Sequence, residues 1–203
     1  MRTTQAERRA RTRSAILESA ARGLSRYGYG NLRLEQVAAD AGYTRGALYH
    51  LFKNKEDLTL AVREWVIATW DQEVGEAVRQ ESDPVQALLT LARRHAVFCR
   101  RDIARVAVAL RLEFAGQDHP VGNRIEENYA QLIALCADLI KAARRTGSLP
   151  PGAPAKVVAT AFVGALEGTV IALAGQTPHD ERYAARAVGG VLGLNPDDPK
   201  GSP

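Results

Sequence analysis

Between residues 44 and 55 the chain reads TRGALYHLFKNK. Arg45, Lys53 and Lys55 carry charged N–H donors there, Thr44, Tyr49 and His50 carry neutral ones, and Gly46 leaves a gap among them. An arginine matches the O6/N7 edge of a guanine bidentately, whereas the other donors suit backbone phosphates. A second pair has the spacing of covalent chemistry. His95-x-x-x-Cys99 puts an imidazole and a thiol one helical turn apart, as a base and a nucleophile require. No third orienting group, glycine-rich phosphate loop or metal-ligand cluster accompanies that pair in the sequence. No metal, cofactor or enzymatic activity is therefore expected.

The elements that must position these groups are helical. Apolar residues recur at helical spacing along nearly the whole chain, and no period-2 strand is evident. The expected class is all-α with about nine helices. A first helix over about 5–27 has Ile16, Ala20, Leu24 and Tyr27 on one face and stops at Gly28-Tyr29-Gly30-Asn31. A short helix follows over about 34–41, Gly42 breaks it, and Thr44 caps another over 45–51. Asn54 restarts a long helix, with Leu58, Ala61, Val62, Trp65 and Thr69 on its apolar face, reaching about residue 79. Further helices are expected after Asp83-Pro84, around Ile103 to Phe114, and over about 122–146, 154–174 and 180–193.

Residues 34–51 satisfy the demands of a helix-turn-helix. Ala38 is small where two backbones approach, Gly42 turns the chain, and Val37, Ala41 and Leu48 lock the pair. The second helix of such a unit enters the major groove. That placement explains Gly46, whose helix-propensity cost of about 1 kcal/mol has no internal motive, because a side chain there would hold the helix off DNA.

Charge agrees with this placement. The 203 residues carry a net +4, with 46% hydrophobic and 25% charged residues. Residues 1–55 hold 11 Lys and Arg against 4 Asp and Glu, and the remainder holds 16 against 19. A basic head fits a polyanion partner, and Arg8, Arg9, Arg11 and Arg13 would add affinity by counterion release. The two cysteines, Cys99 and Cys136, exclude a disulfide framework. No apolar run is read as approaching the roughly 18 residues of a bilayer span. The N-terminus MRTTQAERRARTRSAI lacks a secretory h-region. A cytoplasmic protein without membrane contact is expected, divided into a DNA-binding domain (1–54), a helical body (55–195) and a disordered tail (196–203).

The stretch GYGNLRLEQVAADAGYTRGALYHLFKNKEDL, with ILESAARGLSRYG upstream, resembles the tetracycline-repressor (TetR) family of bacterial transcriptional regulators. The resemblance covers about 45 residues. It implies that Thr44, Arg45, Gly46, Tyr49 and His50 face DNA, and that Lys55, opening the fourth helix, touches phosphate. Two positions depart from the family pattern: Arg33 stands where a capping Thr is common, and Leu51 where His is frequent. Among the individual side chains, Arg45 is assigned to a guanine edge and Arg33, Tyr49, His50, Lys53 and Lys55 to phosphates.

One helix-turn-helix covers a single half-site, so a homodimer on a palindromic operator is expected. The apolar excess in the last two helices supplies a surface for it: Phe162, Ala165, Leu166, Thr169, Val170 and Leu173 with Gly164 and Gly168 among them, and Ala184, Ala187, Val188, Val191 and Leu192. In the family these helices form a four-helix interface. Trp65, Thr69, His95, Cys99, Phe114, Tyr129 and Cys136 are the candidates for an effector pocket, with Glu113 and Glu167 available to balance a cation. The function expected is a ligand-responsive regulator, a repressor released from operator DNA by a small, largely apolar organic effector. The alternatives are a constitutive helix-turn-helix protein without effector, and a small helical enzyme using His95 and Cys99.

Overall fold

In the computed structural model of the chain, the described residues, 4–173 and 180–194, form helices and turns without a strand. The tail expected to be disordered lies outside them. Residues group into two compact units, Met1–Thr69 with Arg101–Glu126, and Trp70–Arg100 with Glu127–Pro203. The units thus do not divide at residue 54.

The first unit opens with α1 (Gln5–Asn31), whose start is fixed by a capping box: Thr4 Oγ1 accepts from Glu7 N–H while Glu7 accepts from Thr4 N–H. The expected stop at Gly28 is a kink. Gly28 has φ +74°, and a Cβ there would lie 2.7 Å from Glu113 Oε2. Ile16, Ala20 and Leu24 are buried as the pattern implied, but Tyr27 is 57% exposed. The buried stripe thus ends at Leu24.

Next come α2 (Leu34–Asp40) and α3 (Arg45–Leu51). Gly42 at φ +78° joins them, with its N–H bonded to Ala39 and that of Tyr43 to Ala38, the paired bonds of a Schellman turn. Val37, Ala38 and Leu48 are buried at the crossing, and Ser19 Oγ donates to Val37 O at 3.0 Å, tying α1 to α2. Arg33, at the N-cap of α2, makes no side-chain cap bond. A 3-10 turn (Asp102–Arg105) and α7 (Val106–Glu113), with α4 (Lys55–Trp70), complete the helices of this unit; α8 (Pro120–Thr146) begins in it.

The chain leaves α4 through a π-helical turn (Asp71–Gly75) into α5 (Glu76–Gln80). Then α6 (Pro84–Phe98) is capped by Asp83, whose carboxylate accepts from Val85 and Gln86 N–H with Pro84 in the first turn. After α8 come α9 (Ala155–Ala172) and α10 (Asp180–Leu192). Counting the consecutive helical segments over 55–80 once gives nine helices among the described residues, the number expected. In the second unit α10 packs on α6 and α9. Arg100 clamps its first turn, donating to Asp180 and Glu181 and holding the Asp180 carboxyl down at about 2.

Candidate nucleic-acid interface

Within the first unit, α3 is anchored by one face and open on the other. Leu48 is fully buried and Phe52 closes the helix, whereas Thr44, Arg45, Gly46, Tyr49 and His50 are exposed. Thr44 Oγ1 accepts from Ala47 N–H at 3.2 Å, so its cap role is met. A Cβ on Gly46 would meet nothing nearer than Thr44 Oγ1 at 3.8 Å, an ordinary contact. Nothing inside the protein therefore requires glycine there. Arg45 is held by Glu35, 3.3 Å from its Nε, and lies over the Tyr49 ring.

Arg33 and Lys53 are exposed beside this face. Lys55 departs from the expected phosphate role. Its ammonium donates to the carbonyls of Tyr29 (2.7 Å) and Gly30 (3.1 Å) and sits 4.5 Å from the Tyr29 ring centroid. The N–H groups of the same turn are taken by Glu113, at 2.5 Å from Tyr29 and 2.6 Å from Gly30. Lys55 and Glu113 therefore grip the Gly28–Gly30 turn from both polar sides, and Glu113 is not a counter-charge for a ligand. Arg8, Arg9, Arg11 and Arg13 lie on exposed turns of α1, with Arg13 over the Phe52 ring.

The expected effector residues separate. Phe114 stacks with His119 at 4.2 Å and edges Tyr29 at 5.2 Å, so it braces the α1 turn. Trp65 and Thr69 are half-buried on α4, joined by Thr69 Oγ1 donating to Trp65 O. Cys136 is fully enclosed, its thiol pushed up to about 12 by burial, and is a core residue. In the second unit, however, His95, Cys99 and Tyr129 do converge. His95 Nε2 lies 3.3 Å from Cys99 Sγ and 3.7 Å from Glu167 Oε1, to which Tyr129 donates at 3.3 Å.

The convergence does not make a catalytic dyad. Trp70 Nε1, which can only donate, lies 3.0 Å from His95 Nδ1. Nδ1 is then the acceptor, and the proton of the neutral ring sits on Nε2, facing the sulfur. A base needs the opposite arrangement, with an acceptor behind it and a free lone pair toward the nucleophile. Burial pushes the imidazole down to about 4, keeping it neutral. Trp70 was invisible to the pattern of residues 88–99, since nothing in its own helix points to a partner 25 positions on.

Residues 16–62 match the sequence model of the bacterial regulatory proteins of the tetR family. Over 154 residues the chain is 30% identical to the transcriptional repressor BepR of Brucella suis, an alignment covering 73% of each. The chain belongs to the tetR family. The fold is shared with solved structures: AibR, solved with isovaleryl coenzyme A and operator DNA, superposes with a TM-score of 0.73 at 22% identity, covering 91% of this chain and all of AibR. SCO4454, a TetR-family regulator from Streptomyces coelicolor, gives 0.76 at 19% identity, over 90% and 95% of the two chains. This is a transcriptional regulator and not an enzyme.

In this TetR-family chain several residues expected at a dimer interface are interior. Phe162, Leu166 and Val188 are 0% exposed, because these positions of α9 and α10 face their own unit. Thr169, Val170, Leu173 and Val191 are half-exposed. The open face of α9 keeps the expected Gly164 and Gly168 and adds Val157, Ala161 and Ile171, with Val157 and Ile171 each 58% exposed. That spacing alternates four and three residues, the seam by which two helices pack. Against the expectation from sequence, Ala155–Ala172 is also long and apolar enough to cross a membrane by length and composition.

Proposed function

We propose that this protein is a ligand-responsive repressor that binds a two-fold operator as a homodimer in the cytoplasm. The observation that carries the reading is the outward face of α3: a seven-residue helix with Gly46 open, Arg45 and His50 exposed, and its inner side locked by Leu48. Such a helix fits the major groove, with Arg45 for a guanine edge and Arg33, Tyr49, His50 and Lys53 for phosphates. The apolar seam of α9 has a second copy as its occupant. Glu167, on the flank of the same helix and bonded by Tyr129, speaks against a lipid surround, where a carboxylate in mid-helix would face hydrocarbon.

Two features support an effector. BepR is named a repressor, and AibR was solved with an acyl thioester and operator DNA together. The second unit places His95, Tyr129 and Glu167 as a small polar group amid apolar helices, the composition of a site for a small organic molecule. An effector preferring the conformation with weaker DNA affinity must lower that affinity by the same factor that DNA lowers its own.

Selection from a randomised duplex pool tests the reading. A palindromic consensus is expected, and no enrichment at low salt would refute it. Ile171→Glu should leave the fold intact yet yield monomers by sedimentation, losing affinity for the full palindrome. Thermal-shift screening with acyl coenzyme A thioesters and apolar amphiphiles should return at least one ligand that also releases DNA; a chain that no compound releases would be constitutive.

A further inference from the structure

Arg45 is the side chain best suited to reading a base, and it is restrained in the free chain. Its Nε lies 3.3 Å from Glu35 Oε1 on α2. Its guanidinium carbon sits 5.3 Å from the centroid of the Tyr49 ring, one turn along α3. A guanidinium offers two bidentate edges, one through Nε and one through its two terminal nitrogens. The carboxylate lies beside the first as an ion-pair partner, and the ring covers a face. No described residue engages the terminal nitrogens, and the side chain is 66% exposed.

Glu35 itself needs an account. Of the four acids in residues 1–55, Glu7 caps α1, Glu18 pairs with Arg22, and Asp40 accepts from Gln36. Glu35 puts a negative charge beside the reading helix, where it opposes phosphate attraction. A first-turn acid also suits the dipole of α2, but that benefit would be independent of Arg45.

Resting on the DNA-binding reading, we propose that Glu35 is a positioning residue for base recognition. It holds Arg45 so that the two terminal nitrogens meet guanine O6 and N7, and so sets the base preference of the half-site while weakening attraction to DNA in general.

The test uses the full-length protein as wild type, E35A, E35Q, R45A and E35A/R45A. A duplex recovered by selection, and copies with single base pairs exchanged, are titrated by anisotropy at fixed salt. Both Glu35 substitutions remove the same charge, so affinity for random duplex should rise equally. Only glutamine keeps a side-chain carbonyl oxygen beside the Nε edge, where the carboxylate of Glu35 lies as an ion-pair partner. Wild type is expected to prefer guanine at one position per half-site. E35A should reduce that preference about tenfold, and E35Q should keep it within about threefold. In the R45A background, E35A should change nothing at that position. Equal losses in E35A and E35Q would reduce Glu35 to a charge or helix-end effect and overturn the proposal. So would a loss that persists without Arg45, since Glu35 would then read a base itself. If wild type retains sequence preference but no guanine position depends on Arg45, positioning falls while DNA binding stands. If wild type shows no preferred sequence, both fall.

Discussion

Gly46→Ala separates what the fold wants from what DNA wants. A methyl at this position meets only Thr44 Oγ1 at 3.8 Å, so no repacking is required. Gly46 sits within regular helix on an exposed face, where alanine restricts the unfolded chain and favours the helix. The gain there is about 0.5–1 kcal/mol. For a chain of this size that raises the unfolding midpoint by about 1–4 °C. On the operator the same methyl protrudes from the first turn of the reading helix, between Arg45 and the residues one turn on. Losing even one base contact costs about 1–3 kcal/mol, so operator affinity should fall at least about tenfold. Thermal unfolding followed by circular dichroism gives the first quantity, and anisotropy on the selected operator the second. A lower midpoint would mean that glycine serves packing after all. An unchanged operator affinity would mean that this turn does not approach DNA.

Other perturbations address the remaining elements. Arg33→Thr supplies the missing cap of α2 and should stabilise the chain by about 1 kcal/mol in urea, while lowering the salt dependence of DNA binding by about one unit of slope; destabilisation would contradict the cap geometry. Glu113→Ala leaves the N–H groups of Tyr29 and Gly30 without their carboxylate and should cost about 2 kcal/mol, read from urea midpoints at constant m. Burial holds His95 at about 4 against 6.5 when unfolded, so the unfolded chain binds the extra proton between those values and stability falls as pH drops through that window. His95→Gln should remove up to about 3 kcal/mol of that acid sensitivity, whatever its effect at neutral pH, and an unchanged slope from pH 6.5 to 4 would refute the neutral buried ring.

The helices were legible because their signals are local. Thr44 caps and Gly42 turns by chemistry confined to a few neighbouring residues, and α3 begins and ends where capping and periodicity put it. On the same terms Pro84 after Asp83 opens α6, and Gly147 at φ +79° closes α8. Tertiary partnerships had no such signal. Lys55 reads as a basic residue at the head of a helix, and only folding brings the Tyr29 and Gly30 carbonyls within its reach. Phe114 reads as an aromatic of the body, yet its neighbours are Tyr29 and His119. Part of the surface expected to pair two copies is interior for a related reason. In α9 nearly every position is apolar, so hydrophobicity cannot say which side is covered, and the bulkiest residues, Phe162 and Leu166, went to the chain's own core. The outward seam is made of small residues between Val157 and Ile171.

This division of labour follows from what each surface must do. A core gains about 25 cal/mol for each Å² of apolar area buried, which favours Phe162, Leu166 and Val188 inside. A helix that must approach another helix, or a groove, gains from small side chains that let backbones come close, even where they cost local stability. Gly46 on α3 and Gly164 and Gly168 on α9 share this character: no atom lies nearer than van der Waals contact to a Cβ built at any of them. Alanine at each should therefore be tolerated or favoured by the isolated chain. Selectivity would enter only through the partner, DNA at the first position and a second copy at the other two. If Gly164→Ala and Gly168→Ala weaken the dimer without lowering the unfolding midpoint of the monomeric Ile171→Glu background, the open face of α9 is an interface. If they destabilise that background as well, these glycines serve the chain's own fold.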